Sequence, residues 1–335
     1  MADKYIIFGN GYEWCEISLQ KIINRNDTVF TNELPVKGNI TKFFSMFILS
    51  DRLKNFIPKF FKTLIYNEII NELGLKKIDV NSQIVFIIFD GNRLGNQNGF
   101  FDFIKDHYKF SKFIYVFTNI VKITEASGRG YIDKLNDWYD VVFAFDPEDA
   151  KKYGFSYSPL IYDADPNYKR EEKESKEDLV FYVGQAKDRL SGLLSCFEKL
   201  KQLGIKTDFH IANVKEEDIK YSDEIIYNKF MTYAECVDSI QKATCLIDVI
   251  QGESTGLTIK TCEAVCYDKK LITTNKHVVE YPFYDPRYIR VVESPDDIDE
   301  SFFNENRDVH YSKEGKAYFS AESFLKRVED ELKER

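Results

Sequence analysis

The stretch Leu246-Ile-Asp-Val-Ile-Gln-Gly-Glu-Ser-Thr-Gly-Leu-Thr258 decides the fold of this chain. An apolar run breaks at a turn of small residues, and Thr258 to Tyr267 then reads as a helix that stops before Asp268-Lys-Lys270. Strand, turn and helix in that order are one repeat of a parallel sheet covered by helices. Where such a turn feeds a helix, free backbone N–H groups and the positive end of the helix dipole converge, as an anion site requires. An ordinary strand-to-helix connection, with Gly256 relieving backbone strain, uses the same residues.

The same alternation extends to both sides. Tyr5 to Phe8, Ile84 to Phe89, Phe113 to Thr118 and Val141 to Phe145 are the apolar runs of the first half. Leu179 to Val183, Thr207 to Ile211, Cys245 to Ile250, Lys270 to Thr274 and Tyr288 to Val292 follow in the second. Leu190, Leu193, Leu194, Phe197 and Leu200 share a helical face that Gly204 terminates, and Thr232-Tyr-Ala-Glu235 fits a capping box. These patterns predict an α/β chain of two Rossmann-like, doubly wound domains. The charged stretch Tyr168 to Asp178 divides them, giving an N-terminal domain over 1–165, a C-terminal domain over 177–311 and a final amphipathic helix over 312–335.

The chain has 335 residues, 44% hydrophobic and 15% aromatic, enough for two cores. Its net charge of −9 opposes general nucleic-acid binding, so no nucleic-acid partner is expected. Six cysteines without a CxxC pair read as reduced thiols of a cytoplasmic protein. No export signal opens the sequence, and no apolar stretch reaches the length of a membrane span.

Several residues carry candidate chemistry. Phe181-Tyr-Val-Gly-Gln-Ala-Lys-Asp-Arg189 delivers Gly184 and then sets Lys187 and Arg189 at a helix mouth, where two cations could neutralise a leaving pyrophosphate. In the first half, Gly9, Asn10 and Gly11 follow the first strand with Glu13, and Asp90-Gly-Asn-Arg93 follows another. A carboxylate at a strand's C-terminal end can take a hydroxyl proton, which makes Asp90, then Glu13, the candidate catalytic base; acidic turns and helix caps use the same residues. Gly9-Asn-Gly11 lacks the third glycine of a dinucleotide fingerprint. Asp163-Ala-Asp165 matches a metal-binding DxD but precedes a proline in a crossover, and His107, His210, His277 and His310 have no ligand spacing. No metal site and no cofactor are expected.

The segments Phe181 to Arg189, Lys229-Phe-Met-Thr-Tyr-Ala-Glu235, Cys245-Leu-Ile-Asp-Val249, Glu253-Ser-Thr-Gly-Leu-Thr258 with Glu263, and Lys269-Lys-Leu-Ile-Thr-Thr-Asn275 resemble the C-terminal half of a GT-B glycosyltransferase. More narrowly, they are similar to the bacterial enzymes that build capsule and lipopolysaccharide chains. The resemblance covers residues 180 to 280; the first half matches in architecture only. It implies two domains facing across a cleft, with a nucleotide-sugar held mainly by the second. Glu263 would then accept from the ribose hydroxyls, while Ser254, Thr255, Gly256, Leu257 and Thr258 present groups to the diphosphate. Lys187 and Arg189 would oppose the diphosphate, and Phe230 and Met231 would lie near the base. Glu253 falls in the same donor set, but its separation from Glu263 departs from the Glu-x7-Glu spacing of retaining enzymes, so inversion or retention stays open.

The function so implied is metal-independent transfer of a hexosyl unit from a nucleotide-sugar, with UDP the commonest carrier, to a growing cell-surface polysaccharide. A sugar-nucleotide epimerase or other transferase on the same scaffold, and a non-catalytic subunit binding nucleotide-sugar or glycan, are the alternatives. Finally, residues 42–66 set Lys42, Arg52, Lys54, Lys59 and Lys62 among phenylalanines. Such a segment could touch an anionic membrane at the inner face of the cell and suit a lipid-linked acceptor, or could pack on the first sheet with its lysines outward.

Overall fold

Ile84–Phe89 is apolar throughout and buried throughout. A strand with no polar face must be covered on both sides, which in practice means a parallel sheet between helix layers. A computed structural model describes residues 2–48, 50, 56–92, 99–121, 132–166, 168, 177–252 and 254–335. It folds into two units, one comprising Met1–Ser158 with Phe324–Arg335 and the other Pro159–Ser323.

The first unit holds β1 (Lys4–Phe8), β2 (Thr28–Thr31), β3 (Ile84–Phe89), β4 (Lys112–Val116), β5 (Val141–Ala144) and β6 (Ser156–Tyr157), in the order β2-β1-β3-β4-β5-β6. Its core joins the strand faces to Ile65, Ile69, Phe100, Phe101 and Leu135, with Phe101 stacked on Phe113 at 3.9 Å. The second unit holds β7 (Leu179–Gln185), β8 (Lys206–Ala212), β9 (Ile225–Tyr227), β10 (Cys245–Asp248), β11 (Lys270–Thr273) and β12 (Ile289–Val291), in the order β12-β11-β10-β7-β8-β9. Every pairing among these strands is parallel.

Strand order fixes where ligands can bind. In the second unit the chain leaves β7 toward β8 on one side and returns to place β10 on the other, with Leu246 beside Phe181. In the first, β1 lies between β2 and β3 in the same manner. Connections diverge at such switch points, leaving a crevice outside the strands' C-terminal ends. The Gly184 and Thr258 turns flank one switch point, and Gly9 and Asp90 flank the other.

The structure departs from the sequence expectations at the unit boundary, in the last segment and at the strand before the 254–258 turn, among other places. The unit boundary falls at Ser158, earlier than residue 165, because the proline-flanked crossover packs on the second unit: the Tyr162 N–H donates to the Phe319 carbonyl at 2.9 Å. The last segment is two helices, Lys313–Ala317 and Ala321–Glu334, rather than one over 312–335. The strand expected to run to Ile250 ends at Asp248, since the Ile250 N–H is taken by the Thr274 hydroxyl at 3.0 Å instead of a ladder partner. The charged residues 169–176 lie outside the described residues.

Candidate functional site

In the second unit the turn after β10 is built on Asp248, which is 2% exposed at the strand end. Its carboxylate accepts from the hydroxyls of Thr258 at 2.8 Å and Thr273 at 3.4 Å. Burial raises its pKa, opposed by the Thr258 hydrogen bond and the positive charges of Arg189 and Lys260. Thr258 also caps the helix Ile259–Cys266, accepting from the Thr261 N–H at 3.3 Å. The Asn275 side chain donates to the Gly256 carbonyl at 3.0 Å, so β10, β11 and the helix start hold the turn together. Gly256 and Leu257 are buried, while Ser254, Thr255 and Thr258 are partly exposed. Glu253 lies outside the described residues.

The β7 turn is tied to this one by both candidate cations. Arg189 donates from Nη1 to the Val249 carbonyl at 2.8 Å, and from Nε and Nη2 to the Gln185 carbonyl at 3.3 and 3.2 Å. It therefore spends donors on backbone and braces the two turns. Lys187, at φ +47°, donates to Gln251 Oε1 at 2.8 Å. Desolvation, and then the charge of Arg189, lower the Lys187 ammonium from its ordinary pKa. Gly184 is needed for close approach: a Cβ there would sit 2.7 Å from the Tyr182 hydroxyl oxygen.

Glu263 is 1% exposed and pairs with Lys260 at 2.5 Å, one turn back on the same helix. Burial raises its carboxyl pKa against the pull of Lys260. Desolvation pulls the Lys260 ammonium down, but the charge of Glu263, the charge of Cys236 and the hydrogen bond to Glu263 together raise it above its ordinary value. Tyr233 also bonds Glu263, and its hydroxyl meets that of Tyr162. The structure thus puts Glu263 inside a buried polar cluster.

Phe230 is 89% exposed. With Met231, His210, Lys229 and Lys242 it borders a recess of about 280 Å³ that shares no lining residue with the two turns. Asp163 accepts from the Ala321 N–H at 3.1 Å, and the Asp165 N–H donates to the Tyr267 hydroxyl at 3.0 Å, so this pair anchors the crossover.

In the first unit Asp90 is 4% exposed at the end of β3. The Thr118 hydroxyl donates to its carboxylate, and the Asn10 amide donates to that hydroxyl at 3.2 Å. Asn92 reaches the Gly9 carbonyl at 3.4 Å, so the loops after β1, β3 and β4 converge. Gly9 allows this approach, since a Cβ there would fall 2.2 Å from Asn32 Oδ1. Gly11, at φ +79°, donates its N–H to the same oxygen at 3.3 Å. Glu13 is exposed in the first turn of the helix Glu13–Ser18.

Sequence reasoning gave no role to Asp248, Thr273, Asn275 or Thr118. The signal was present in an acid closing an apolar strand, and in Thr and Asn closing the next. A buried carboxylate there needs hydroxyl donors, and the adjoining strand end supplies one.

No protein-family model matches the sequence, and no curated protein matches it either. Solved structures do match. An α-glucosyltransferase solved with UDP and a 13-mer DNA containing a HMU base is similar over 98% of this chain and 98% of its own, at 11% identity and a TM-score of 0.55. Trehalose-6-phosphate synthase, solved in a study of glycosyl transfer with retention, is similar over 99% of each chain, at 10% identity and a TM-score of 0.54. TarM is similar over 77% of this chain at 13% identity and a TM-score of 0.49, and the present chain spans 56% of TarM's length. At such identities the likeness speaks to architecture: the chain has the two-unit α/β fold of the GT-B type.

Proposed function

We propose that this chain is a glycosyltransferase that moves a hexosyl unit from a UDP-sugar to a growing, lipid-linked polysaccharide of the capsule or lipopolysaccharide type, without a metal or other cofactor. The observation that carries the reading is the pair of turns at the β7/β10 switch point, cross-braced by Arg189 and Lys187. They set the N-terminal end of the helix Ile259–Cys266 and the Lys187 ammonium at one sheet end, where a diphosphate's charge would be met by a helix dipole and a cation. The fold's likeness to an α-glucosyltransferase solved with UDP supports a nucleotide-sugar donor.

In this reading Lys187 loosens from Gln251 to stabilise the departing diphosphate, while Ser254, Thr255 and Thr258 orient it. Asp90, aligned by Thr118 and Asn10, is the base proposed to take an acceptor hydroxyl's proton. Six buried thiols fit a reducing, cytoplasmic setting, at the inner membrane face where a lipid-linked glycan would be extended.

Thermal shift with UDP, GDP, dTDP, CMP and NAD, each with and without EDTA, tests the donor. UDP at a hundred times its Kd should add about 2.7 kcal/mol, a shift of a few degrees, unchanged by EDTA. Lys187→Ala should need roughly tenfold more UDP for the same shift, the loss of one charge-assisted contact. A response to no nucleotide would overturn the reading, and a response to NAD alone would favour an epimerase. Asp90→Asn should keep the UDP shift and abolish sugar transfer; retained transfer would remove Asp90 from the base role.

A further inference from the structure

In the helix Asn39–Ile48 burial runs against hydrophobicity. Thr41 and Ser45 are turned inward with Ile48, their hydroxyls donating to the helix's own chain, to Gly38 O and Lys42 O at 2.8 Å each. The outer side carries Ile40, Phe43 and Met46, which are 65%, 56% and 70% exposed. A helix bordered only by water places such residues the other way round.

The second helix, Lys59–Glu72, continues the surface. Phe60 is 71% exposed, Leu64 is also exposed, and Phe56, just before the helix, is 79% exposed. Ring contacts make the patch continuous: Phe43 meets Phe44 at 5.3 Å, Phe44 stacks on Phe61 at 4.4 Å, and Phe61 meets Phe60 at 5.6 Å. Ile40 and Leu64 border one recess. Single exposed apolar residues need no explanation, but a contiguous aromatic face does.

Charge identifies the occupant. Lys37 is paired with Glu72, whereas among the described residues no ion pair engages Lys42, Lys59 or Lys62. Unpaired lysines around an apolar face, in a chain of net charge −9, mark a surface that meets negative charge and hydrocarbon together. A second copy of the chain fits poorly, since a two-fold contact would set these lysines against themselves.

We propose that this two-helix face binds an anionic bilayer surface. Phe43, Met46, Phe56 and Phe60 enter the boundary between headgroups and acyl chains, and Lys42, Lys59 and Lys62 lie on the lipid phosphates. No helix among the described residues is long and apolar enough to cross the membrane, so contact is at one leaflet. The inference stands independently of the donor site.

Flotation of the full chain tests it, with vesicles of phosphatidylcholine alone and of phosphatidylcholine with phosphatidylglycerol. Wild type should float with the anionic vesicles at low salt, far less with the neutral ones, and be released as salt is raised. Combined Phe43→Ser, Met46→Ser and Phe60→Ser should weaken anionic binding by at least about tenfold, as should combined Lys42→Glu, Lys59→Glu and Lys62→Glu. Both variants should keep the wild-type thermal midpoint, because these side chains are outside the core. Failure of the wild type to float at low salt, or flotation of both variants like wild type, overturns the proposal. So does a wild-type dimer that stays off vesicles and is split by the serine variant, which would assign the face to self-association.

Discussion

At Gly184 an added methyl group would lie 2.7 Å from the Tyr182 hydroxyl oxygen, 3.1 Å from the ring carbon bearing it and 3.5 Å from Arg189 Nη2. Neither neighbour is free to yield, since Tyr182 is buried and the Arg189 guanidinium is committed to two carbonyls. Gly184→Ala should therefore cost about 1–3 kcal/mol, the usual penalty of overpacking, read as a lower urea midpoint at unchanged slope. In a Tyr182→Phe background the hydroxyl clash is gone and the penalty should shrink. An equal penalty in both backgrounds would place the strain elsewhere than on the tyrosine oxygen. The glycine was legible as part of a strand–turn–helix repeat. Its reason was not, because the residue it must clear is two positions away on its own strand.

The helix Ile259–Cys266 shows what periodicity can and cannot convey. Its start at Thr258 was readable from the small-residue turn, and its strand neighbours from their unbroken apolar runs. The weaker strands were not: β2, β6 and β9 are short and close to sheet edges, with half-buried residues that do not form an apolar block. Nor could the sequence tell that Lys260 and Glu263, spaced like a solvent-exposed pair, are 6% and 1% exposed. Spacing gives the face of a helix, whereas burial depends on what the rest of the chain lays over it. A buried pair broken on one side leaves a bare charge in a poor solvent. Glu263→Leu should thus destabilise by about 3–5 kcal/mol in denaturant unfolding, and Lys260→Met with Glu263→Leu should recover most of it. If the double variant is no better than the single, the pair is not the source of the loss. The same reasoning makes Glu263 a poor probe of ribose binding, because a lost nucleotide response would follow from lost folding; Lys187, outside the core, separates the two.

For the whole molecule, division into units does not follow chain order. Phe324–Arg335 belongs with the unit that begins at the N-terminus, although it comes after all of the second. Its contacts show why: Phe324 packs on Phe143 of β5 at 5.6 Å, and Glu329 accepts from the Tyr5 hydroxyl of β1 at 2.6 Å. Arg335 caps the Asp140 carbonyl at 2.6 Å. Burial, then the hydrogen bond to Glu329, raise the Tyr5 hydroxyl pKa well above its ordinary value, so the pair holds with tyrosine as donor throughout the neutral range. From sequence the segment was an amphipathic helix with no stated partner, since amphipathicity says that one face is covered and not by what. Ending the chain at Ser323 should therefore weaken the first unit and spare the one whose sequence it adjoins. Hydrogen exchange read by mass spectrometry checks this: amides of β1 and β5 should lose protection while those of β7 to β12 keep theirs. Protection lost first in β10 and β11 would mean that the helix supports the second unit, and the division of the chain at Phe324 would have to be redrawn.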